Sequence, residues 1–446
     1  NLQKYFSTTG GGRNLMVQGK DDVNIDKLES LSDLYEITKD TRPSIVPNVI
    51  FDTNEGRFVK TQISGNETLA NATLYYSEIL PNLGWEPIIY TVEKGEYPVI
   101  DYSLVNDLSS NIKVLKTKFW EPYSLYKRFT GRKRNEKINS SFLNDKKQNK
   151  ILESISVWIR GNLFIPDARK FWIKPSIKFL DNYVKNNPVD FIISSGPPHS
   201  THLIALGIKK LNKIPWLADF RDPWTNIDFY KDLKLSKWAD IKHKKLEKNV
   251  LSKADIVLTI GNQLKDELQE LGAKNVEVIE NGFDEEDFKN NDSNSLDSKF
   301  TIAHIGSFSP TRNHHILWKV LKEIINENNN FANKLQLKLI GNVDYTVDNS
   351  IKEFNLEEYV KRFSYLPHNK VISHQKTSRV LLLMVNNTPN SKGIITGKIF
   401  EYMASNRPIL VIGPEDGDLA KIISATKSGV VCGYDNELKL KDKPFL

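Results

Sequence analysis

Cysteine is almost missing from this chain of 446 residues: Cys432 is the only one. A single thiol excludes an intramolecular disulfide and any cysteine-cluster metal site, and it fits a reducing compartment. Long apolar runs are missing as well. None approaches the ~18 residues that a membrane-spanning helix requires. The opening stretch, Asn1 to Arg13, holds no apolar segment of the kind found in secretory leaders. These absences lead to the expectation of a cytoplasmic protein, in which Asn-x-Ser/Thr triplets such as Asn66-Glu67-Thr68 carry no glycan. No internal repeat of fixed period is visible, and no Ser-His-Asp, Walker A or G-x-G-x-x-G arrangement. The histidines are scattered and give no metal-ligating set; an Asp-x-x-Asp at 219–222 is the nearest thing to one.

What is present is the balance of a globular protein: 39% hydrophobic and 26% charged residues. The length suits two domains of ordinary size. The net charge is +7, but residues 111–190 hold 18 Lys and Arg against 7 Asp and Glu, a local excess of +11. A basic patch of this kind attracts polyanions or an anionic membrane surface, or is a solvated face.

Short β-branched or leucine runs alternate with helical stretches along most of the chain. In the first half, strands are expected at Ile88–Thr91, Val114–Thr117, Phe191–Ser194, Trp216–Ala218, Ile256–Thr259 and Val276–Ile279. Helices are expected near Thr68–Leu80, Lys170–Val184, Ser200–Leu211, Lys237–Leu251 and Gln263–Leu271. A polar stretch, Asn290-Asn291-Asp292-Ser293-Asn294-Ser295, has the composition of a linker. Behind it the alternation restarts, with strands at Phe300–Ile305, Leu335–Ile340, Phe363–Tyr365, Val380–Val385, Ile409–Ile412 and Val430–Cys432. Such alternation implies an α/β fold with parallel sheets covered on both faces. The expected organisation is an N-terminal extension over 1–60, a Rossmann-like domain over 61–289, a linker over 290–299 and a second Rossmann-like domain over 300–446. The two domains are expected to face each other across a cleft.

Ligands of open α/β sheets bind beyond the carboxyl ends of the strands, so the residues after each strand are the candidates. Ser195-Gly196-Pro197-Pro198-His199-Ser200-Thr201-His202 turns sharply into a helix, which puts His199 at a helix N-terminus, where the dipole favours neutral imidazole. A plain turn histidine is the alternative. Asp219-Phe220-Arg221-Asp222-Pro223-Trp224 sets two carboxylates around Arg221, a cluster suited to sugar hydroxyls, or simply an ion pair closing a loop. Gly306-Ser307 opens a small-residue loop whose N–H groups can approach an anion, and Arg312 can hold two phosphate oxygens. Thr396 and Gly397 open a helix, Lys398 adds a charge, and Glu401 one turn on can accept both hydroxyls of a ribose. An ordinary amphipathic helix remains the alternative there.

Taken in order, these motifs resemble the family-4 retaining glycosyltransferases of the GT-B fold, of the type that builds bacterial cell-surface polysaccharides. Glu280-Asn281-Gly282-Phe283-Asp284, His304-Ile305-Gly306-Ser307, and Gly397-Lys398-Ile399-Phe400-Glu401-Tyr402-Met403-Ala404 with Arg407-Pro408-Ile409 complete the likeness, which runs from about Leu80 to Tyr434. The resemblance implies a hexosyltransferase that needs no metal or other cofactor and moves a sugar from a nucleotide-diphosphate donor to a glycan or lipid-linked acceptor. It implies donor contacts at Gly306, Ser307, Arg312, Thr396, Gly397, Lys398 and Glu401. It places His199, Asp219 and Asp222 at the catalytic centre, with Arg221 on the sugar and acceptor side. Residues 118–134, which mix aromatics with cations, suit docking on an anionic membrane at the inner face of the plasma membrane, or equally a packed helix with a basic outer face; no motif points to nucleic acid.

The sequence departs from the family pattern at three places. The slot for a glycine-rich loop, Thr61–Thr68, has one glycine; Gly393, eight residues before Glu401, stands where the family has a second Glu; and the chain reads as short at its C-terminal end. Two alternative functions follow: a non-catalytic descendant that binds a nucleotide sugar or a partner, and a GT-B epimerase acting on the nucleotide sugar itself.

Overall fold

The computed structural model describes residues 53–54, 57–58, 85–93, 112–120, 150–284, 286–289, 295–364 and 366–442. The expected helix at Thr68–Leu80, the Thr61–Thr68 slot and residues 121–134 lie outside the described residues, as does nearly all of 1–60. The chain divides into two compact units, with the division between Asn281 and Gly282.

In the first unit, β1 (Ile88–Val92) and β2 (Lys113–Thr117) form a parallel pair. A four-stranded parallel sheet follows, made by β3 (Ile192–Gly196), β4 (Trp216–Phe220), β5 (Ile256–Thr259) and β6 (Val276–Val278) in that order. The helices are α1 (Lys150–Leu163), α2 (Lys170–Asn186), α3 (Ser200–Asn212), α4 (Lys237–Leu251) and α5 (Asn262–Glu270). All five residues of β4 are buried, as expected of a central parallel strand covered on both faces. Trp216, Phe220 and Trp224 pack there with Val250 and Leu251 of α4 and Leu264 and Leu268 of α5. Trp172 of α2 ties the β1–β2 pair to the helices: its ring stacks on Tyr90 at 5.2 Å and its Nε1 donates to Thr117 Oγ1 at 2.8 Å, while Ile204 of α3 packs in the same cluster.

The second unit begins with α6 (Glu286–Lys289) and contains a six-stranded parallel sheet: β7 (Phe300–Ile305), β8 (Leu335–Ile340), β9 (Val360–Phe363), β10 (Val380–Met384), β11 (Ile409–Ile412) and β12 (Gly429–Cys432). Its helices are α7 (His315–Glu327), α8 (Asn329–Lys334), α9 (Tyr345–Glu353), α10 (His368–Thr377), α11 (Lys398–Ala404), α12 (Asp418–Thr426) and α13 (Glu437–Asp442). The spatial order is β9-β8-β7-β10-β11-β12. Counted from the start of the unit this is 3-2-1-4-5-6, the Rossmann order, with its reversal between β7 and β10. Every residue of β10 and β11 is buried. Trp318, Leu317 and Leu321 of α7 fill the core beside them, and Cys432 closes it at the end of β12. Burial pushes the Cys432 thiol up to about 11.

Three expectations need adjustment. Past Asn281 the chain already associates with the second unit, ahead of the polar stretch at 290–299: Asp287 pairs with His368 at 2.8 Å, and Lys376 Nζ donates to the Phe288 carbonyl at 3.0 Å. The strand expected at Phe363–Tyr365 runs over Val360–Phe363. It is an edge strand with exposed Lys361 and Arg362, so it has no apolar run to betray it. Helix α1 had no counterpart in the sequence reading.

Candidate active site

In the second unit the reversal of strand order separates the ends of β7 and β10, where a Rossmann sheet opens a crevice. Gly306 follows β7 with φ +102°, a conformation costly to any residue with a side chain. A Cβ placed there would collide with Lys398 Nζ. The glycine therefore lets the lysine of α11 lie directly over the strand end. Gly341, at the end of β8, is equally constrained: a Cβ there would meet the Gly306 carbonyl oxygen at 2.8 Å.

Arg312 joins the loops on either side of the crevice. Its Nε donates to Asn386 Oδ1 at 2.7 Å, just beyond β10, and its Nη1 donates to the Ser307 carbonyl at 3.0 Å. The Asn387 N–H donates to the Thr311 carbonyl at 3.0 Å, and His314 Nε2 donates to the Val385 carbonyl at 2.7 Å. Tyr434 holds the same loop through the Asn386 carbonyl at 2.8 Å. The guanidinium is thereby fixed against two strand ends.

Two buried side chains report how the charges cluster. His304 lies well below the ordinary imidazole range, first through burial and then through the Lys398 and Arg312 cations. Burial raises the Tyr402 phenol, Glu401 raises it further and Arg312 opposes them, while its oxygen accepts from the Ile305 N–H at 3.2 Å. So Arg312 and Lys398 meet at one strand end. Glu401 stands three residues beyond Lys398, on the same face of α11, and its Oε2 accepts from Gln375 Nε2 of α10 at 2.9 Å. Thr396 and Gly397 lead into α11; Gly397 takes the cap position without a side-chain cap.

The first unit gathers the remaining sequence candidates. The chain leaves β3 through cis peptide bonds at Gly196-Pro197 and Pro197-Pro198 and delivers His199 to the cap position of α3. His199 is buried, and its ring stacks on Trp224 at 4.5 Å with 1° between planes. Burial holds its imidazole well below the ordinary range, and the neighbouring His202 and His243 push the same way. A Cβ on Gly196 would lie 3.1 Å from His199 Nδ1 and 2.5 Å from His202 Nε2, so both nitrogens turn toward that backbone. Burial lowers His202 to about 3; its Nδ1 shares a hydrogen bond with Ser194 Oγ at 2.8 Å.

Asp219, at the carboxyl side of β4, accepts from Ser195 Oγ at 2.8 Å and lies 3.7 Å from Arg221 Nη1. Burial raises it to about 7 against the opposing pull of Arg221. Arg221 in turn donates to Asn281 Oδ1. Asp222 follows on the same loop. Trp224 is held from the other side, its Nε1 donating to His243 Nδ1 at 3.1 Å. Glu247 accepts from the Thr225 backbone and hydroxyl at 3.2 and 2.5 Å.

Several residues of these arrangements escaped the sequence reading. Asp167 caps the His199 helix by accepting from the Ser200 N–H at 2.8 Å. His202, Asn386 and Gln375 were likewise passed over. Of these and Asn281, only His202 and Asn281 lie inside motifs that the sequence singles out, and neither has a role assigned there. Among the described residues, no three His, Cys, Asp or Glu side chains are placed to hold a metal ion.

The comparisons bear on both units. Residues 143–287 match the Glycosyltransferase Family 4 model. The match covers the β3 and β4 loops and Asn281. No curated protein sequence matches the chain. Among solved structures, sucrose-phosphate synthase from Thermosynechococcus elongatus is similar at a TM-score of 0.56 and 14% identity, over 86% of this chain and 84% of that one. The α,α-trehalose 6-phosphate synthase of Burkholderia multivorans is similar at 0.51 and 10% identity, over 87% and 86%. A mutant of S. aureus TarM, in complex with fondaparinux, α-GlcNAc-glycerol and UDP, is similar at 0.51 and 12% identity, over 88% and 90%. These likenesses establish the GT-B fold of two Rossmann-like units.

Proposed function

We propose that this protein is a retaining, metal-independent glycosyltransferase that moves a sugar from a nucleotide-diphosphate donor to a glycan or lipid-linked acceptor. The observation that carries the reading is the joint placement of Arg312 and Lys398 around Gly306, at the reversal point of the second unit's sheet. Two cations fixed at one strand end suit a diphosphate, and they suit it more as it leaves and gains charge. The family-4 match in the first unit supports sugar transfer as the chemistry, and UDP, present in the TarM complex, is the first nucleotide to test.

The acceptor hydroxyl attacks the anomeric carbon on the face from which the diphosphate departs. The carbon–oxygen bond to the phosphate breaks with its electron pair, and the departing phosphate oxygen takes the acceptor proton. Arg312 and Lys398 meet the charge, with Gly306 and Ser307 supplying a close backbone approach. Thr396 and Gly397 line the start of α11, and Glu401 accepts the ribose hydroxyls. His199, Asp219, Asp222 and Arg221 serve the sugar and acceptor side, where a neutral His199 can donate to or accept from a sugar hydroxyl. The pathway we assign is assembly of cell-surface polysaccharide on the cytoplasmic side.

The test is a panel of nucleotide sugars, scored by thermal shift and then by release of nucleoside diphosphate in the presence of an acceptor. One donor is expected to stabilise the protein and to be consumed. Absence of nucleoside diphosphate binding by calorimetry across the panel would overturn the reading.

A further inference from the structure

Several large apolar side chains on the first unit lie open to solvent beside lysines. Trp238 and Ile241 on α4 are 61% and 64% exposed, and Trp120 is 53% exposed. Trp120 packs edge-on against Phe171 of α2 at 4.9 Å. Lys170 Nζ lies 5.0 Å from the Phe171 ring, and Lys242 Nζ lies 4.6 Å from the Trp238 ring. Lys170 also feels Lys242: its ammonium is pulled below the ordinary lysine range by burial and then by that second charge. Lys170 Nζ also donates to the Leu163 carbonyl at 2.5 Å, at the end of α1, and α1 packs against α4, so Trp120, α2 and α4 border one surface.

The sequence is arranged to make this face. On α2 the exposed residues Phe171, Lys174, Pro175 and Lys178 recur at helical spacing, opposite the buried Trp172 and Ser176. On α4 the exposed residues Trp238, Ile241, Lys242 and Lys245 repeat the same spacing, opposite the buried Ala239, His243 and Glu247. Each helix thus carries two faces: one enters the core, and the other mixes aromatic or apolar groups with lysine. The two helices hold nine lysines against three carboxylates, and one of those carboxylates, Glu247, is buried.

We propose that this face docks on an anionic lipid bilayer. Tryptophan and lysine together suit the headgroup boundary: the indole sits at the interface, and the lysine stem lies along apolar surface while its ammonium meets lipid phosphate. Charge complementarity favours a surface of many anionic headgroups over an uncharged partner. The inference rests on the sugar-transfer reading only for its purpose, since docking would bring a lipid-linked acceptor to the enzyme. It moves the membrane contact from 118–134 to a face built mainly by α2 and α4, with Trp120 alone in common.

The test uses the full chain and sedimentation with vesicles of phosphatidylglycerol and phosphatidylcholine, against vesicles of phosphatidylcholine alone. Binding to the anionic vesicles is expected at low salt and is expected to fall as salt rises. The triple variant Trp238→Ser, Ile241→Ser, Lys242→Ser is expected to lose at least about tenfold in vesicle affinity. Its circular dichroism should be unchanged, because all three side chains are exposed. Leu211→Ser, an exposed apolar change on α3, is expected to bind like the parent. No binding at low salt, equal binding by the triple variant, or an equal loss in Leu211→Ser would each overturn the proposal. So would lipid-independent dimerisation, in sedimentation velocity, that the triple variant abolishes. Vesicle binding is read without donor or acceptor. A protein that docks but transfers no sugar would therefore overturn the functional reading and leave this one standing.

Discussion

Arg312 does more than carry a charge. Its planar fork holds Asn386 and Ser307 at once, a pattern that a lysine ammonium cannot reproduce. Arg312→Lys is expected to retain the fold and lower the transfer rate by about 10²-fold, in the range seen when one preorganised charge donor is lost. Steady-state kinetics beside a thermal melt checks this. Asp219 offers a different reading at the same scale. Burial raises it to about 7 in the folded chain, above the ~3.9 of an unfolded aspartate. Between about pH 4 and pH 7 the folded state then holds the extra proton, so this group's contribution to stability is greatest below pH 4 and declines as the pH rises to 7. Asp219→Asn is expected to flatten that decline, measured as unfolding free energy against pH for the two proteins.

Among the elements, the loop after β7 is the most constrained. Gly306 and Gly341 both have positive φ, yet their neighbours differ: a side chain at 306 meets the flexible tip of Lys398, whereas one at 341 meets the Gly306 backbone. Gly306→Ala is expected to displace the lysine and weaken nucleotide-diphosphate binding at a stability cost of about 1–2 kcal/mol. Gly341→Ala is expected to cost more stability, because backbone must move. Calorimetric binding and denaturant midpoints separate the two. The same elements show what could be read from the residues. Strands β10 and β11 announce themselves because they are apolar along their whole length, as a doubly covered strand tends to be, and β4 does so through Trp216, Leu217 and Ala218, ahead of Asp219. Strand β9 does not, because it sits at the sheet edge with Lys361 and Arg362 exposed. Helix α1 exposes Ile155, Trp158 and Leu163, so its apolar residues trace no single buried stripe. Around the candidate site, Gly306, Arg312, Lys398 and Glu401 stand out at strand ends and helix starts. Asn386 was illegible: its role exists only because the fold brings it to Arg312 from 74 residues away. Asp167 and Gln375 were hidden for the same reason.

At the scale of the whole molecule, the two units have separate parallel sheets and separate cores. Trp318 is fully buried in the core of the second, where its Nε1 also donates to Asn313 at 2.7 Å. Trp318→Ala is expected to destabilise that unit by about 3–5 kcal/mol. In scanning calorimetry this should lower one transition and spare the other, and a nucleoside diphosphate should raise the same one by mass action. A single transition lowered as a whole would mean that the units unfold together.

The lone thiol makes that distinction measurable without heating. Cys432 is sealed inside the second unit at the end of its sheet, and its thiolate is disfavoured there, so a thiol-directed dye cannot label it until that unit opens. With no other sulfhydryl to compete, the labelling rate under native conditions is a clock for the opening of one half of the protein alone.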